Sequence, residues 1–510
     1  MVCIEIRPLK MSSILYASQK LLSKKMRNIL ENPFAPRQYG QLVKVTERVY
    51  LFRNIVNSSI IIGDKGVAVI DTQVNQMMAR RLRNAIQTIT DKPILYAINT
   101  HYHWDHTNGN TIFHEVGATV IAREMTKDFM VNRSPRQEAF LRSRGFTLGD
   151  PPFLPQQTFT HETELDLGNQ SLHLVHLGKA ETDDATAIRV PAEDCIVSGD
   201  TVMTGSFPIF GQPVMNEGLM ANHDWINTIK ELRTYEPKSV LPGHGPLARD
   251  AEIDLLLEIE SYFLTEVRKR VEQGMSLNTL LTEMEANLPD WIRSIAEVWG
   301  TPRYAILRVY RGLIDDPEPG WQHLKPSAIP TADTEKLHQK THALEDFQAY
   351  RETAEEVAEG NDFGLAIAIL KTATEKYPNL PDVWTEYANL LTQASRTVSS
   401  VLEKGDFFAE AKKALNVALE LDSDHAPAYL LRGYNHILSA YRNGDETKTG
   451  LESVYKALVI GIQGTQLAQA YFCIGLAHRT NGDETLAREA FAKAITADPR
   501  YMPAQLANMA

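Results

Sequence analysis

The stretch Asn99-Thr100-His101-Tyr102-His103-Trp104-Asp105-His106 decides how the rest of this chain is read. It directly follows the short apolar run Ile94–Ile98, so it is expected to be the loop that leaves a buried strand. Three imidazoles and one carboxylate fall within six residues. His101 and His103 make one extended pair, and Asp105 and His106 make a second. Imidazole and carboxylate donors suit zinc, iron or manganese, and two pairs on one loop suit two adjacent ions. Solvated surface histidines are not expected at this density.

The whole chain must be large enough to carry such a site. Its 510 residues predict about three domains, and 43% hydrophobic with 23% charged residues is the composition of a soluble globular protein. A net charge of −12 argues against a nucleic-acid backbone binder. Cys3, Cys195 and Cys473 are far apart and form no CxxC pair, which excludes a cysteine-built metal framework and fits a reducing compartment. The apolar stretch Met11–Ser18 is short and runs into Lys20, Lys24, Lys25 and Arg27 without a clear cleavage site. No apolar run reaches the ~18 residues of a membrane span. A cytoplasmic protein without a membrane span is expected.

Texture divides the chain. After an N-terminal extension (1–40), residues 41–250 alternate short apolar runs with polar loops. Ser59–Ile62, Val67–Ile70, Ala118–Ile121, Leu172–Leu177, Ala185–Val190 and Cys195–Ser198 read as strands, and Met77–Thr88 and Trp225–Leu232 as helices. Residues 251–340 form a helical connector, with Leu256, Ile259, Phe263 and Val267 at spacings of three or four, ending in a linker punctuated by Pro317, Pro319, Pro326 and Pro330. Residues 341–510 are helical and repetitive. Ala366, Leu370, Ala373 and Pro378 share their offsets with Ala411, Leu415, Ala418 and Ser423, and with Ala487, Phe491, Ala494 and Pro499. Gly450, Val454 and Ala457 make a weaker copy. With Tyr471 and Gly475, the last unit resembles a tetratricopeptide repeat (TPR), although the copies start at 366, 411, 450 and 487, wider than the family period of about 34.

An HxHxDH motif after a strand resembles the signature of the metallo-β-lactamase superfamily, over about Gln41 to Ala248. The resemblance implies an αββα sandwich with metal ligands on loops along one edge. It implies further ligands in Asp200, of Ser198-Gly199-Asp200, and His244, of Leu241-Pro242-Gly243-His244-Gly245. Asp71, ending Val67–Ile70, matches the aspartate that orients a ligand imidazole through its far nitrogen. One position departs from the pattern. Gly178-Lys179-Ala180-Glu181-Thr182-Asp183-Asp184 carries Glu181 where the family usually has its third histidine, while His176 is expected to face the core or a strand neighbour.

A glutamate there resembles the alkylsulfatase-like branch, as do Val309–Trp321 and Asp362–Gln393, extending the likeness to about Gln41–Gln393. That branch places arginines after its Gly-Asp element, yet Thr201–Thr228 contains no Arg or Lys. Arg123, Lys127 and Arg133 are alternatives for gripping an anion, though a solvated helix face is the plainer reading. Asp224 is expected to be an N-cap, with His223 before it, and Tyr102 and Trp104 either line the pocket or pack under the loop.

Together these readings imply a binuclear metal-dependent hydrolase acting on a small-molecule alkyl sulfate or related ester through a metal-activated water. The metal set is His101, His103, Asp105, His106, Glu181, Asp200 and His244, with Asp105 or Asp200 able to accept a proton. Two divalent ions are expected, zinc first, with iron or manganese as alternatives that gain ground from the added carboxylate. One rival is a binuclear-iron oxygenase on the same fold, and another is a TPR interaction protein with a vestigial hydrolase domain. The helical region is expected to support a homodimer or to bind a protein partner.

Overall fold

The computed structural model describes residues 34–143, 151–210, 224–298, 300–314, 329–330, 332–398 and 401–509. The N-terminal extension up to residue 33, His223, and the prolines at 317, 319 and 326 lie outside the described residues.

Two sheets are stacked face to face. The first holds β1 (Gln41–Lys44), β2 (Val49–Arg53), β3 (Ser58–Ile62), β4 (Val67–Ile70), β5 (Ile94–Ile98), β6 (Thr119–Arg123) and β7 (Gln157–Phe159), paired in that order. β1 to β4 form an antiparallel meander, and β4 to β7 run parallel. The second sheet holds β8 (Glu162–Asp166), β9 (Ser171–Val175), β10 (Ala187–Val190), β11 (Cys195–Met203) and β12 (Ser239–His244), in the order 12-11-10-9-8. Its strands are antiparallel except for β11 and β12.

The two-residue period of a strand explains the layers. Along β4, Ala68 and Ile70 face the second sheet, meeting Leu174, Ile188, Val197 and Leu241 in the central core. Val67 and Val69 face outward, onto Met78, Leu82 and Ile86 of the helix Gln76–Gln87. In β11, Cys195 and Val197 point inward while Ile196 joins the opposite layer. That layer contains Trp225, Ile229 and Leu232 of the helix Asp224–Arg233, and Trp225 Nε1 donates to the Thr201 carbonyl of β11 at 2.9 Å. The architecture is therefore the αββα sandwich, followed by helices.

The outer apolar layer does not stop with the sandwich. It continues without a break through Phe263 of the helix Asp250–Glu272 and Ile306 and Val309 of the helix Pro302–Leu313. Phe263 meets Phe207 edge-on at 5.7 Å between ring centroids. Beyond residue 333 the helices pack as neighbours in sequence. The small–large–small positions Ala366/Leu370/Ala373, Ala411/Leu415/Ala418, Gly450/Val454/Ala457 and Ala487/Phe491/Ala494 are all buried where paired helices touch.

Several elements differ from expectation. β1, β7 and β8 carry too many exposed or polar positions to stand out as apolar runs, and they gain their identity only by pairing. β11 extends to Met203, so Asp200 sits inside a strand, at a register irregularity, rather than on a loop after it. Asp224 is the first described residue of its helix, and its expected capping role reaches into residues outside the described ones. Arg123 is buried at the end of β6, where its Nε donates to the Thr160 carbonyl at 3.0 Å, and is no part of a solvated helix face.

The C-terminal helices dock on the sandwich through the helix Gln76–Gln87. Its N-cap Asn75 donates to Asp445 Oδ1 at 2.5 Å, and the Arg81 guanidinium donates to the Thr480 carbonyl. Burial at this contact pushes the Asp445 carboxyl up to about 7, against the hydrogen bonds from Asn75 and Asn443. A carboxyl raised on folding favours the folded state below its unfolded value of 3.8 and loses that contribution as pH rises through about 7. Asp445→Asn is therefore expected to raise the thermal midpoint relative to the wild type at pH 8, by less at pH 5.5 and hardly at all near pH 4, as differential scanning calorimetry would show.

Candidate metal centre

Every element of the predicted site ends at one edge of the sandwich. β4 delivers Asp71, the turn after β5 delivers His101 to His106, β11 delivers Asp200, and β12 ends on His244. Glu181 arrives on the loop between β9 and β10. The structure brings all seven donors together as two adjacent groups. His101, His103, Glu181 and Asp200 form one, and Asp105, His106 and His244 form the other, with ligand atoms in each group within 4.8 Å of one another.

Asp200 faces both groups. Its Oδ2 is 3.9 Å from His101 Nε2 and 3.4 Å from His244 Nε2, and its Oδ1 is 3.5 Å from His106 Nε2. Glu181 Oε2 lies 3.3 Å from His103 Nδ1 and 4.0 Å from His101 Nε2. Asp105 Oδ2 lies 3.4 Å from His244 Nε2 and 3.7 Å from His106 Nε2. These separations lie at or beyond the long end of the hydrogen-bond range. They do suit donors around a shared cation, since bonds of roughly 2.1 Å in a tetrahedral arrangement put ligand atoms roughly 3.4 Å apart.

The imidazole tautomers fit the same reading. Asp71, with a left-handed backbone (φ 60°), is buried and accepts from His106 Nδ1 at 2.8 Å. It also accepts from the Thr100 amide and the Thr100 hydroxyl, each at 2.8 Å. Because Thr100 gives its only hydroxyl proton to Asp71, it must accept from His101 Nδ1, 3.0 Å away. His244 Nδ1 lies 2.8 Å from the Ile55 carbonyl, which can only accept. In these three rings Nδ1 therefore carries a proton and faces away, so Nε2 is the nitrogen turned into the site, open to a cation once any proton on it has left. His101 Nε2, His106 Nε2 and Asp200 Oδ1 are buried without a hydrogen-bond partner, as expected of atoms meant for a cation.

The backbone allows this crowding at two glycines. A Cβ on Gly243 would sit 1.9 Å from Asp200 Oδ1, and one on Gly199 (φ +50°) would sit 2.5 Å from Thr100 Oγ1.

Charge is unevenly distributed. Burial acts to lower the His106 and His244 pKa values, but Asp200 acts on both, with Asp71 and Asp105 on His106 and Asp105 on His244. The balance lifts His106 well above its ordinary value and His244 to about 10. Burial, with the neighbouring His106, holds His101 well below its ordinary value. Burial opposes ionisation of Asp105 and Asp200, yet the histidines outweigh it and keep both carboxyls below their usual range. These carboxylates call for positive charge, which protons on His106 and His244 supply at neutral pH.

The neighbouring residues divide cleanly. Tyr102 is fully buried and packs edge-on against Phe129, so it supports the loop from beneath. His176 Nδ1 pairs with the Ala185 carbonyl at 2.8 Å, away from the donors. Arg133 lies over the Phe129 ring, 3.5 Å from its centroid, with Asp183 3.9 Å from its guanidinium. Thr100 and the Ile55 carbonyl escape sequence reading. Thr100 could have been suspected from its place beside His101, whereas no sequence signal marks Ile55.

Residues 51–244 match the model of the metallo-beta-lactamase superfamily. Among curated proteins, the chain is 19% identical over 302 residues to a linear primary-alkylsulfatase of Pseudomonas sp. (strain ATCC 19151), across 50% of this chain and 54% of that protein. It is 27% identical over 207 residues to the 2,4-dinitroanisole O-demethylase subunit alpha of Nocardioides sp. (strain JS1661), across 40% and 55%. The chain thus spans about half the length of these curated relatives. Among solved structures, a stereoselective inverting sec-alkylsulfatase of Pseudomonas sp. shares the fold with a TM-score of 0.51 at 15% identity, over 74% of this chain and 65% of that one.

Two outcomes test the centre directly. Adding zinc to metal-free protein at pH 7.5 is expected to release about two protons per chain, from His106 and His244, as pH-stat titration would measure. The release should shrink as pH rises through about 10, where His244 has already lost its proton. Thr100→Val removes the link between Asp71 and His101, and should weaken zinc binding about 10- to 100-fold in calorimetric titration.

Proposed function

We propose, from the premise that residues 51–244 form a metallo-beta-lactamase superfamily domain, that the chain is a binuclear metal-dependent hydrolase of alkyl sulfate or related small esters. The observation that carries this reading is the pair of donor groups facing the two oxygens of Asp200, with imidazole nitrogens turned inward. His101, His103 and Glu181 would hold one divalent cation and Asp105, His106 and His244 the other, with Asp200 between them. The bound cations would supply a water of lowered pKa and positive charge for an anionic ester.

The protein's own part is to fix and shield this arrangement. Asp71 holds His106 directly and His101 through Thr100, so neither ring can rotate away from the centre. Asp105 has 15% of its side chain exposed, against 4% for Asp200 and 1% for Glu181. It is therefore the carboxylate best placed to take a proton from the attacking water and pass it to solvent. No Arg or Lys lies between Thr201 and Thr228, so the anionic group of the ester is matched by the charge of the centre rather than by a guanidinium on that segment.

The ester class draws support from the alkylsulfatase relative, and the sulfate ester is its most specific element. Glu181 brings a third carboxylate beside Asp105 and Asp200, and oxygen-rich donors also suit iron, which supports a binuclear-iron oxygenase as the second reading. With seven donors assembled, a vestigial site is the weakest reading. For the C-terminal helices, self-association or a protein partner is the fitting role.

Metal analysis of anaerobically purified protein, combined with sulfate release from a primary alkyl sulfate, tests the proposal. Two ions per chain and released sulfate are expected. Glu181→Ala should lose one ion and reduce turnover at least 100-fold. Two irons with a visible band that responds to reductant and oxygen, and no sulfate release, would overturn the hydrolase in favour of the oxygenase.

A further inference from the structure

The Glu181 loop is irregular, and its backbone is held from outside the sandwich. Gly178 turns it with φ +148°, a position where a Cβ would meet Thr228 Oγ1 at 2.3 Å. Thr228, on the helix Asp224–Arg233, donates to the Lys179 carbonyl at 2.6 Å. The next two carbonyls are taken by one side chain. Arg308 Nη1 donates to Glu181 O at 2.7 Å, and Arg308 Nη2 donates to Ala180 O at 3.2 Å. Arg308 lies on the helix Pro302–Leu313 of the connector, 127 residues further along the chain, and is 9% exposed.

A buried guanidinium is costly unless its charge and its donors are matched. The carbonyls match the donors. Glu260, on the helix Asp250–Glu272, is wholly buried, and its carboxyl oxygens have no hydrogen-bond partner. Burial drives its carboxyl well upward, and the charge of Arg308 pulls it back. Two connector helices thus bring an Arg and a Glu into an apolar layer where only a specific use explains them. The planar fork of Arg can bind two successive carbonyls at once, which the single ammonium of Lys cannot reproduce.

We infer that Arg308 is a positioning residue of the metal centre: by binding the Ala180 and Glu181 carbonyls it fixes the loop backbone that aims the Glu181 carboxylate at His101 and His103. The inference rests on the reading of Glu181 as a metal ligand. It makes the connector part of the site, so the sandwich alone does not complete the centre. Arg308 acts on one donor group only, because Asp105, His106 and His244 hang from other elements.

The test is a double-mutant cycle on the full chain, with zinc affinities for both ions read by calorimetric titration. Arg308→Lys keeps the charge beside Glu260, and its thermal midpoint without metal should stay near wild type. It is expected to weaken one of the two ions about 10-fold. Arg308→Met should weaken that same ion further and leave the other unchanged. In a Glu181→Ala background, which lacks the ligand, Arg308→Lys should have no further effect on metal. If Glu181→Ala removes one ion while Arg308→Lys and Arg308→Met bind both with wild-type affinity, the positioning role is refuted and Glu181 remains a ligand. If Arg308→Lys weakens both ions equally, or weakens binding as much in the Glu181→Ala background, Arg308 acts as a general structural support and the inference is refuted. If Glu181→Ala keeps both ions, the ligand reading itself falls, and the inference with it.

Discussion

One carboxylate organises the centre. Asp71 accepts from His106, from the Thr100 amide and from the Thr100 hydroxyl, and through that hydroxyl it governs His101. Its two oxygens thereby settle the tautomer and the direction of two imidazoles from opposite sides of the HxHxDH turn. The left-handed backbone at Asp71 is a strained conformation for a residue with a Cβ, and it persists because three hydrogen bonds hold it. Remove that carboxylate and the Nε2 atoms of His101 and His106 have no reason to point at Asp200.

How much of this can be read from sequence depends on how local each constraint is. His101, His103, Asp105 and His106 are legible because one short loop holds them all. Asp200 and His244 are legible only through family likeness, since nothing in their own surroundings speaks of metal until β11 and β12 are seen side by side. Glu181 stands out as a departure from a pattern, and its burial next to His103 gives the departure a chemical meaning. Arg308 is not legible at all. Its partners are two backbone carbonyls, which have no signature in a sequence.

The same logic separates the strands. β4 and β5 are buried on both faces or nearly so, and they read as apolar runs. β1 and β8 are exposed along much of their length, and only ladder hydrogen bonds define them. In the C-terminal helices, small residues at fixed offsets were legible because close helix approach demands them, and they lie buried at those contacts. The extra turns and loops that stretch the spacing carry no comparable demand, so their conformation is set by neighbours far away in the chain.

Each sheet is made of strands in consecutive order, which means that each can assemble by pairing with its sequence neighbours. The donors, however, are shared between the halves. The first sheet supplies His101, His103, Asp105 and His106, and the second supplies Glu181, Asp200 and His244. Backbone contacts such as Thr186 N to Thr100 O and Asn57 N to Gly243 O pin the seam between them. A cation bound there would act as a cross-link between the two sheets. No strand pairing in either sheet uses a donor of the opposite half, so a metal captured at the seam would close the fold rather than nucleate it.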